Sequence, residues 1–186
     1  MIIIKHKRCK TENILKENPE AMIIDVTSHA KNEFLKLSPF YPHGGIPIPF
    51  SGDMTGFSVE GIWQGLKVFE KEDVDTKSFM NSTMKNLKRT VRRFGAPKGH
   101  RKGVNGTELL NYKDARELIY IPTYRWMLEN KAADIIEELR KLSENKTVVL
   151  LDYNTSCDAH DLSKPLSHAY LCKAYIEHLY PYEDNK

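Results

Sequence analysis

The sequence predicts an α+β domain that is mostly helical and contains a few short strands. The chain has 186 residues, which is the size of one ordinary domain. Its 40% hydrophobic and 28% charged residues are typical of a soluble globular protein. Short β-branched runs predict strands, and longer segments with apolar residues at helical spacing predict helices.

Short β-branched segments predict the strands. Residues 2–8 and 21–26 are rich in isoleucine, and Thr147–Tyr153 is an apolar run with the length of a buried strand. Between them, Ser38–Gly56 contains four prolines and four glycines, which preclude a long helix. Its aromatic residues predict an ordered loop with a short extended piece around Ile46–Phe50.

Periodic apolar residues predict helices in most of the remaining chain. The predicted helices run from Ser58 to Phe69, from Asp75 or Thr76 to about Phe94, from Asp114 toward Asn130, from Lys131 to Leu142 and from about Leu166 to Leu179. Pro122 should kink or break the third helix, because proline lacks an amide hydrogen and its ring clashes with the preceding turn. The glycine-rich residues 95–106 predict a loop.

Composition excludes several classes of protein. The longest apolar runs, such as Val148–Leu151, are only a few residues long, so we expect no transmembrane helix. The charges of the N-terminus follow a very short apolar run, which is the reverse of a secretory signal. The three cysteines, Cys9, Cys157 and Cys172, have no CxxC spacing, which suits a reducing compartment. We therefore expect a cytoplasmic protein.

Basic residues are concentrated in one part of the chain. The net charge is only +3, but residues 85–102 contain eight cations and no acid. These cations are Lys85, Lys88, Arg89, Arg92, Arg93, Lys98, Arg101 and Lys102. Such a stretch fits a phosphate-bearing partner better than general polyanion binding. A solvated protein surface without a ligand is the alternative.

The segment Ser58–Phe69 carries the main chemical hypothesis. In a helix, Glu60, Gln64 and Lys67 would lie along one face, with Trp63 near it, because they are spaced i, i+4 and i+7. A partly buried lysine has a lowered pKa and offers the neutral amine that attacks an electrophilic carbon. A nearby glutamate could hold a ribose hydroxyl or transfer a proton. The structural alternative is the solvated face of an amphipathic helix.

Two glycines in the same segment indicate a close approach. Gly61 and Gly65 are spaced i, i+4, and glycine destabilises a helix by about 1 kcal/mol relative to alanine. Their positions predict that either a substrate or a neighbouring helix comes near the backbone there.

Two short elements lie in order within residues 34–70. The first contains Leu37, Ser38, Phe40, Tyr41 and Pro42, and the second contains Ser58, Glu60, Gln64, Lys67 and, one position late, Phe69. Together they resemble the opening of the NADAR (YbiA-like) family, with the pattern L-S-N-F-Y-P, a variable loop, then [ST]-x-E-H-x-[FY]-Q-x-x-K-[FY]. Two residues depart from it, because Pro39 replaces the asparagine of the family and Gly61 replaces its histidine.

The resemblance implies an N-glycosidase that acts on ribosides. Members of that family hydrolyse phosphoribosylated intermediates of riboflavin synthesis, or remove ADP-ribose from guanine bases of DNA or RNA. By this resemblance Lys67 would attack the anomeric carbon of an opened ribose. Glu60 would orient the ribose or remove a proton, and Gln64 would hydrogen-bond the substrate. The pocket walls would be Ser38, Phe40 and Tyr41, with Trp63 also contacting the substrate.

Later parts of the chain supply the remaining candidates. Arg93, Lys98 and Arg101 could bind phosphates of the substrate. In the loop after the last predicted strand, Asp158 and Asp161 are candidate substrate-binding acids. The tight spacing of this polar loop is typical of turn residues rather than of metal ligands, so we expect no metal site.

These observations lead to one leading prediction. We expect a NADAR-like domain at residues 37–180, preceded by a β-containing extension at 1–36 that packs on it and followed by a polar tail at 181–186. Its predicted activity is N-glycosidic hydrolysis of an ADP-ribosylated base in nucleic acid, without a cofactor. The alternatives are a phosphoribosylated riboflavin-pathway substrate, a non-catalytic ADP-ribose or nucleotide-binding module, and a structural protein that keeps only the scaffold.

Overall fold

The computed structural model describes residues 1–182 and divides the chain into two units. The terminal unit joins Met1–Ser38 to the part of the chain from Leu128 onward, and the central unit is Pro39–Met127. Both units contain helices and strands, so the α+β class is confirmed. Of the predicted polar tail at 181–186, residues 183–186 lie outside the described part. Within residues 1–182, no helix combines the length and apolar character needed to cross a membrane.

The elements are numbered in chain order. The strands are β1 (Ile2–His6), β2 (Met22–Asp25), β3 (Ile46–Pro47), β4 (Thr55–Gly56), β5 (Lys67–Phe69), β6 (Pro97–Arg101), β7 (Leu109–Leu110) and β8 (Val148–Asp152). The α-helices are α1 (Thr11–Glu17), α2 (Val59–Leu66), α3 (Thr76–Phe79), α4 (Val91–Phe94), α5 (Tyr112–Ala115), α6 (Ile121–Lys131), α7 (Ala133–Asn145) and α8 (His168–Ile176). A 3₁₀ helix covers Glu33–Leu37, and a π-helical turn covers Arg116–Tyr120.

A parallel sheet with the order β1–β8–β2 forms the centre of the terminal unit. Val148 of β8 pairs with Ile2 of β1 on one side and Met22 of β2 on the other. All five residues of β8 are buried, as expected for a central parallel strand covered on both faces. The segment predicted as an N-terminal extension thus supplies both outer strands of this sheet.

Helices of the terminal unit follow the predicted apolar pattern. α7 buries Ile135, Ile136 and Leu139 on one face, which confirms the amphipathic helix predicted there. α8 begins after Ser167, whose hydroxyl accepts a hydrogen bond from the Tyr170 amide at 3.2 Å. This cap fixes the start of α8 beside the end of β8.

The central unit contains two small antiparallel sheets. β3 pairs with β4, and the second sheet has the order β5–β6–β7. The predicted extended piece around Ile46–Phe50 contains β3, as expected. The prediction of a loop at residues 95–106 is wrong for Pro97–Arg101, which forms β6. Its strand arises because His100 pairs with Lys67 on one side and Leu110 on the other, partners that are distant in sequence.

The long helix predicted between Asp75 and Phe94 is also wrong. Only the short helices α3 and α4 form there. In the intervening segment the side-chain oxygen of Asn81 accepts a hydrogen bond from the Thr83 amide at 2.9 Å, which competes with helical hydrogen bonding. Met84 and Asn86 have positive φ angles of 59° and 57°, which a right-handed helix cannot accommodate.

The third predicted helix begins at α5 and continues through Pro122. A π-helical turn at Arg116–Tyr120 connects α5 directly to α6, and Pro122 lies in the first turn of α6. Because the α-helical pattern restarts at Ile121, the missing amide of Pro122 falls where a first helical turn tolerates it. The π-helical turn therefore accommodates the proline that was expected to kink or break the helix.

Candidate functional site

The start of α2 is set by a side-chain cap. The hydroxyl of Ser58 accepts a hydrogen bond from the Gly61 amide at 3.0 Å, which confirms the predicted N-cap. The Glu60 amide donates to the carbonyl of Pro39 at 2.8 Å. These two bonds satisfy amides at the first turn and place Glu60 at the beginning of the helix.

The end of α2 differs from the sequence prediction. The helix ends at Leu66, and Lys67 has the extended conformation with φ −73° and ψ 126°. Lys67 is therefore the first residue of β5, opposite His100 of β6, and not the last member of a helical face. The helical face predicted for Glu60, Gln64 and Lys67 is correct only for the first two residues.

The glycines of α2 are explained by helix packing. A Cβ atom at Gly61 would lie 2.6 Å from the carbonyl oxygen of Ser78, and one at Gly65 would overlap the ring of Phe79. Both contacts belong to α3, so the neighbouring helix, and not a substrate, occupies the space that the glycines leave.

Glu60 and Gln64 form a buried pair on α2. They are 8% and 7% exposed, and the Gln64 Nε2 donates a hydrogen bond to Glu60 Oε1 at 3.0 Å. The Gln64 Oε1 accepts from the Arg89 amide at 3.2 Å. The Gln64 amide therefore connects the Glu60 carboxylate to the segment that contains Arg89, and it orients that carboxylate.

Lys67 has an environment that favours a neutral amine. Its side chain is half-buried, and its Nζ lies 5.4 Å from the ring centroid of Phe69. Burial lowers the pKa of Lys67, the Glu60 carboxylate partly opposes that effect, and the positive charge of Arg89 lowers the pKa further. The net direction is downward from the ordinary value of a lysine.

Arg89 is a central residue of the site that the sequence did not single out. Its guanidinium donates to the carbonyl oxygens of Gln64 at 3.1 Å and Asp73 at 2.9 Å, and also to that of Lys67. The side chain is 8% exposed. The basic run around Arg89 was visible in the sequence, but no signal in it showed that this one cation is buried at the end of α2.

Cations and aromatic rings alternate outward from Lys67. The Arg89 guanidinium lies 4.9 Å from the ring centroid of Phe69 and 5.1 Å from that of Phe94. The guanidinium of Arg93 lies 5.0 Å from the same Phe94 ring. This series of cation–π contacts connects Lys67, which lies over Phe69, to the exposed residues of α4.

His100 is the second residue of the site that the sequence analysis missed. It is 2% exposed, and neither ring nitrogen has a hydrogen-bond partner among residues 1–182. Its ring lies against that of Trp63, tilted by 31°, with centroids 3.7 Å apart. Burial, together with the charge of Lys67, lowers the pKa of His100 to about 3, so the ring is neutral at physiological pH. Its burial depends on β6, which the sequence did not predict.

Comparison with sequence families gives one match. A family described as a family of unknown function, DUF6939, matches residues 6–172. The chain belongs to the DUF6939 family. The matched range includes every residue of the candidate site. No curated protein and no solved structure matches the sequence. The resemblance of this DUF6939 chain to the NADAR family therefore rests on the motifs of residues 37–69.

The other residues predicted to line the site lie in different surroundings. In the DUF6939 chain Trp63 is partly exposed, and Tyr112 and Tyr120 contact its ring edge-on. Phe40 lies 6.0 Å below the ammonium of Lys88, and the ring of Tyr41 packs on His43 with centroids 4.7 Å apart. Ser38 is buried in the terminal unit.

The predicted phosphate-binding cations differ in availability. Arg93 and Lys98 are exposed. Arg101 forms an ion pair with Asp73 at 2.6 Å and donates to the Thr107 carbonyl at 3.0 Å. Arg101 thus connects β6 to neighbouring segments. Of the three predicted phosphate-binding cations, Arg93 and Lys98 face solvent.

The predicted acids Asp158 and Asp161 stabilise turns of the terminal unit. Asp158 accepts a hydrogen bond from the His160 amide at 2.8 Å, and Asp161 accepts from the Ser163 amide at 2.9 Å. These are the local bonds that aspartate makes in turns. Within residues 1–182, no group of three or more His, Cys, Asp or Glu side chains could hold a metal ion.

The terminal unit also contains a buried ion pair. Asp152, at the end of β8, lies 3.1 Å from His168 Nδ1 and accepts a hydrogen bond from the Ser167 hydroxyl at 2.7 Å. His168 Nε2 donates to the carbonyl of Val26 at 2.8 Å. Both ring nitrogens of His168 face acceptors, so the imidazolium form satisfies both contacts. The pKa of His168 is raised by Asp152 against the effect of burial, and that of Asp152 is lowered to about 2, chiefly by His168.

Proposed function

We propose that this DUF6939 protein is an N-glycosidase that releases a ribosyl group from a base, with ADP-ribosylated guanine in nucleic acid as its substrate. One observation carries the proposal: the Lys67 amine is half-buried, and the charges of the Glu60 carboxylate and the Arg89 guanidinium both act on its pKa. Burial and the neighbouring guanidinium favour the unprotonated amine, which is the nucleophilic form of a lysine.

The chemistry proceeds through a covalent intermediate. The lone pair of Lys67 Nζ forms a bond to the anomeric carbon, and the bond from that carbon to the base nitrogen breaks. The base leaves with a proton, and Nζ is then bonded to the anomeric carbon of a closed ribose ring. The bond from that carbon to the ring oxygen breaks, the oxygen takes the remaining proton of Nζ, and an imine joins Nζ to the opened ribose. Water then adds to the imine carbon, the bond to Nζ breaks, and the free sugar and the amine are restored. The sequence of steps consumes water and requires no oxidant or reductant.

Glu60 transfers the protons in this scheme. The attacking amine loses a proton as it forms the new bond, and the departing base gains one. We assign both transfers to Glu60, because its carboxylate acts on the charge of Lys67. Gln64 holds Glu60 in place through its 3.0 Å hydrogen bond, so we assign it a positioning role.

The exposed cations support a nucleic-acid substrate over a small metabolite. Arg93 and Lys98 are exposed in the central unit, and Arg93 is connected to Lys67 through the cation–π series. A metabolite with a single phosphate needs few cations, whereas a strand presents a phosphate at every nucleotide.

The test is a release assay on guanine-ADP-ribosylated DNA, with a phosphoribosylated riboflavin-pathway intermediate assayed in parallel. We expect release of ADP-ribose by the wild type, and a loss of at least about 1,000-fold for Lys67→Ala, because covalent catalysis is removed. Lys71→Ala is the matched control, because Lys71 is an exposed lysine four positions along the chain. Borohydride should trap the ribosyl group on Lys67 in the wild type only.

Each alternative gives its own result in this assay. Release from the riboflavin-pathway intermediate alone would transfer the activity to that substrate. Binding of ADP-ribose with neither release nor a trapped adduct would identify a non-catalytic module. Full activity of Lys67→Ala would refute the proposed nucleophile.

A further inference from the structure

The structure separates the eight cations of residues 85–102 into two groups. Arg89 is buried against backbone carbonyls, Arg101 pairs with Asp73, and Lys102 pairs with Glu108 at 2.8 Å. The remaining five are exposed, and none makes an ion pair with any residue in the described part of the chain. These five are Lys85, Lys88, Arg92, Arg93 and Lys98. We call residues 85–98 the basic segment.

The basic segment combines its charge with aromatic surface. The ring of Phe40 lies below Lys88, and the ring of Phe94 lies below Arg93. Both rings are partly exposed. A nearby carboxylate, that of Glu70, accepts a hydrogen bond from the Ala96 amide at 3.0 Å, where it fixes the turn after α4. Uncompensated cations beside partly exposed rings match the phosphates and bases of an unpaired strand.

We propose that the basic segment is a binding surface for a single-stranded nucleic acid. The proposed function supplies the identity of the reacting base, but the strand contact stands on the segment itself. The Lys and Arg side chains bind backbone phosphates, and Phe40 and Phe94 stack on unpaired bases. A single strand is favoured over a duplex, because bases can stack on protein rings only when they are unpaired.

The cation–π series connects the basic segment to the proposed nucleophile. Arg93 and Arg89 lie on Phe94, and Arg89 and Lys67 lie on Phe69. Because Arg89 and Phe69 are buried, the series connects α4 to Lys67 through the interior of the central unit. Enzymes that act on a base must take it out of its stack, which an unpaired strand already provides.

The test measures binding of an unmodified, fluorescently labelled single-stranded DNA of about 12 nucleotides, a length within the usual site size. Fluorescence anisotropy across a salt series gives both the affinity and its salt dependence. In the triple variant Arg92→Gln, Arg93→Gln, Lys98→Gln, each lost phosphate contact should reduce the slope of log affinity against log salt by about 0.7, and the slope should fall by about 2 in total. We expect affinity to fall at least tenfold at low salt.

A control of equal charge change uses three exposed lysines of the terminal unit. The variant Lys10→Gln, Lys31→Gln, Lys146→Gln removes the same net charge and should keep the wild-type slope and affinity. If both triple variants weaken binding equally, net charge alone is responsible and the proposal is wrong. Circular dichroism of each variant verifies that the fold is retained.

The remaining outcomes are equally decisive. An unchanged slope in the basic-segment variant would overturn the proposal, as would binding of anionic vesicles or duplex DNA in preference to the single strand. The result is independent of Lys67 chemistry, since the probe carries no ADP-ribose. Strand binding without release of ADP-ribose would support the binding surface and refute the proposed activity. Release from an ADP-ribosylated mononucleoside without strand binding would support the activity and refute the binding surface.

Discussion

The guanidinium of Arg89 donates a hydrogen bond to the backbone carbonyl of Lys67, the residue that we propose as the nucleophile. The same guanidinium binds the carbonyls of Gln64 and Asp73. Carbonyls in the last turn of a helix lack their usual helical partners, and Arg89 supplies a donor from a distant part of the chain, beside the Lys67 amide that also donates to Gln64. One buried cation therefore both ends α2 and lowers the pKa of Lys67.

Replacement of Arg89 should destabilise the protein strongly. Arg89→Ala removes the guanidinium donor from the carbonyls of Gln64, Lys67 and Asp73, although the Gln64 carbonyl keeps the Lys67 amide. We expect a loss of more than about 2 kcal/mol in the free energy of unfolding. Urea denaturation measures this loss. Arg92→Ala, an exposed arginine three residues along, is the matched control and should change stability by less than about 0.5 kcal/mol. Equal effects of the two substitutions would contradict the capping role.

The pKa of Lys67 should be measurably low. Model lysines titrate near about 10.4, and burial together with Arg89 should place Lys67 below that value. Nuclear magnetic resonance of ¹³C-methylated lysines measures the pKa, and Lys67→Arg assigns the signal. Glu60→Gln should lower the pKa further, because the carboxylate stabilises the ammonium. A rise in the Glu60→Gln variant would show that this carboxylate does not act on the amine.

Gly65 should tolerate no side chain. Gly65→Ala forces a methyl group into the Phe79 ring, and overpacking of this kind destabilises by roughly 1–3 kcal/mol. Alanine is a better helix former than glycine by about 1 kcal/mol. A stabilised Gly65→Ala protein would therefore indicate that helix propensity dominates, and a destabilised one that overpacking dominates. Thermal denaturation measures the change in stability. Phe79→Leu should recover part of the loss in the double variant, and a more stable Gly65→Ala protein would refute the close packing of α2 on α3.

His100 should make the protein less stable in acid. Its folded-state pKa of about 3 lies below the ordinary value, so the unfolded chain binds a proton that the folded protein excludes. The contribution is full above about pH 6.5 and is lost as pH falls toward 3. We expect a loss of about 3 kcal/mol between pH 6.5 and 4, measured by urea denaturation. His100→Phe and His100→Gln should both remove this dependence, and an unchanged dependence would show that His100 is not its source.

The ion pair of His168 and Asp152 should respond to a rise in pH in the opposite way to His100, because it stabilises the fold less as the solution becomes alkaline. The pKa of His168 is raised, so its contribution is present below about pH 6.5 and is lost as pH rises through the raised value. The pKa of Asp152 is lowered to about 2, so its contribution is present above about pH 3.8 and is lost as pH falls. His168→Gln should destabilise by roughly 3–5 kcal/mol between those values.

Urea denaturation of the wild type and His168→Gln across pH 4–9 tests this window. The difference in the free energy of unfolding should shrink above neutral pH. A constant difference would mean that His168 is not titrating in the folded protein.

Local patterns predicted most of the regular elements. β1, β2 and β8 lie where short β-branched runs predicted strands, and α7 lies where apolar residues at helical spacing predicted a helix. The N-cap Ser58 was also predicted, since a cap depends on residues within a few positions of it. In the same way the sequence by itself identified Glu60 and Gln64 as neighbours on one helix.

Tertiary structure decided the features that depend on distant partners. β6 forms because His100 pairs with Lys67 and Leu110, and the end of α2 depends on Arg89, 22 residues after Lys67. Neither partnership leaves a periodic signal, because hydrogen bonds between distant segments are not encoded in local spacing. The sequence alone placed Glu60 and Gln64 on one face of α2. Only the folded chain decided that Lys67 leaves the helix, meets a buried guanidinium and opposes a neutral histidine.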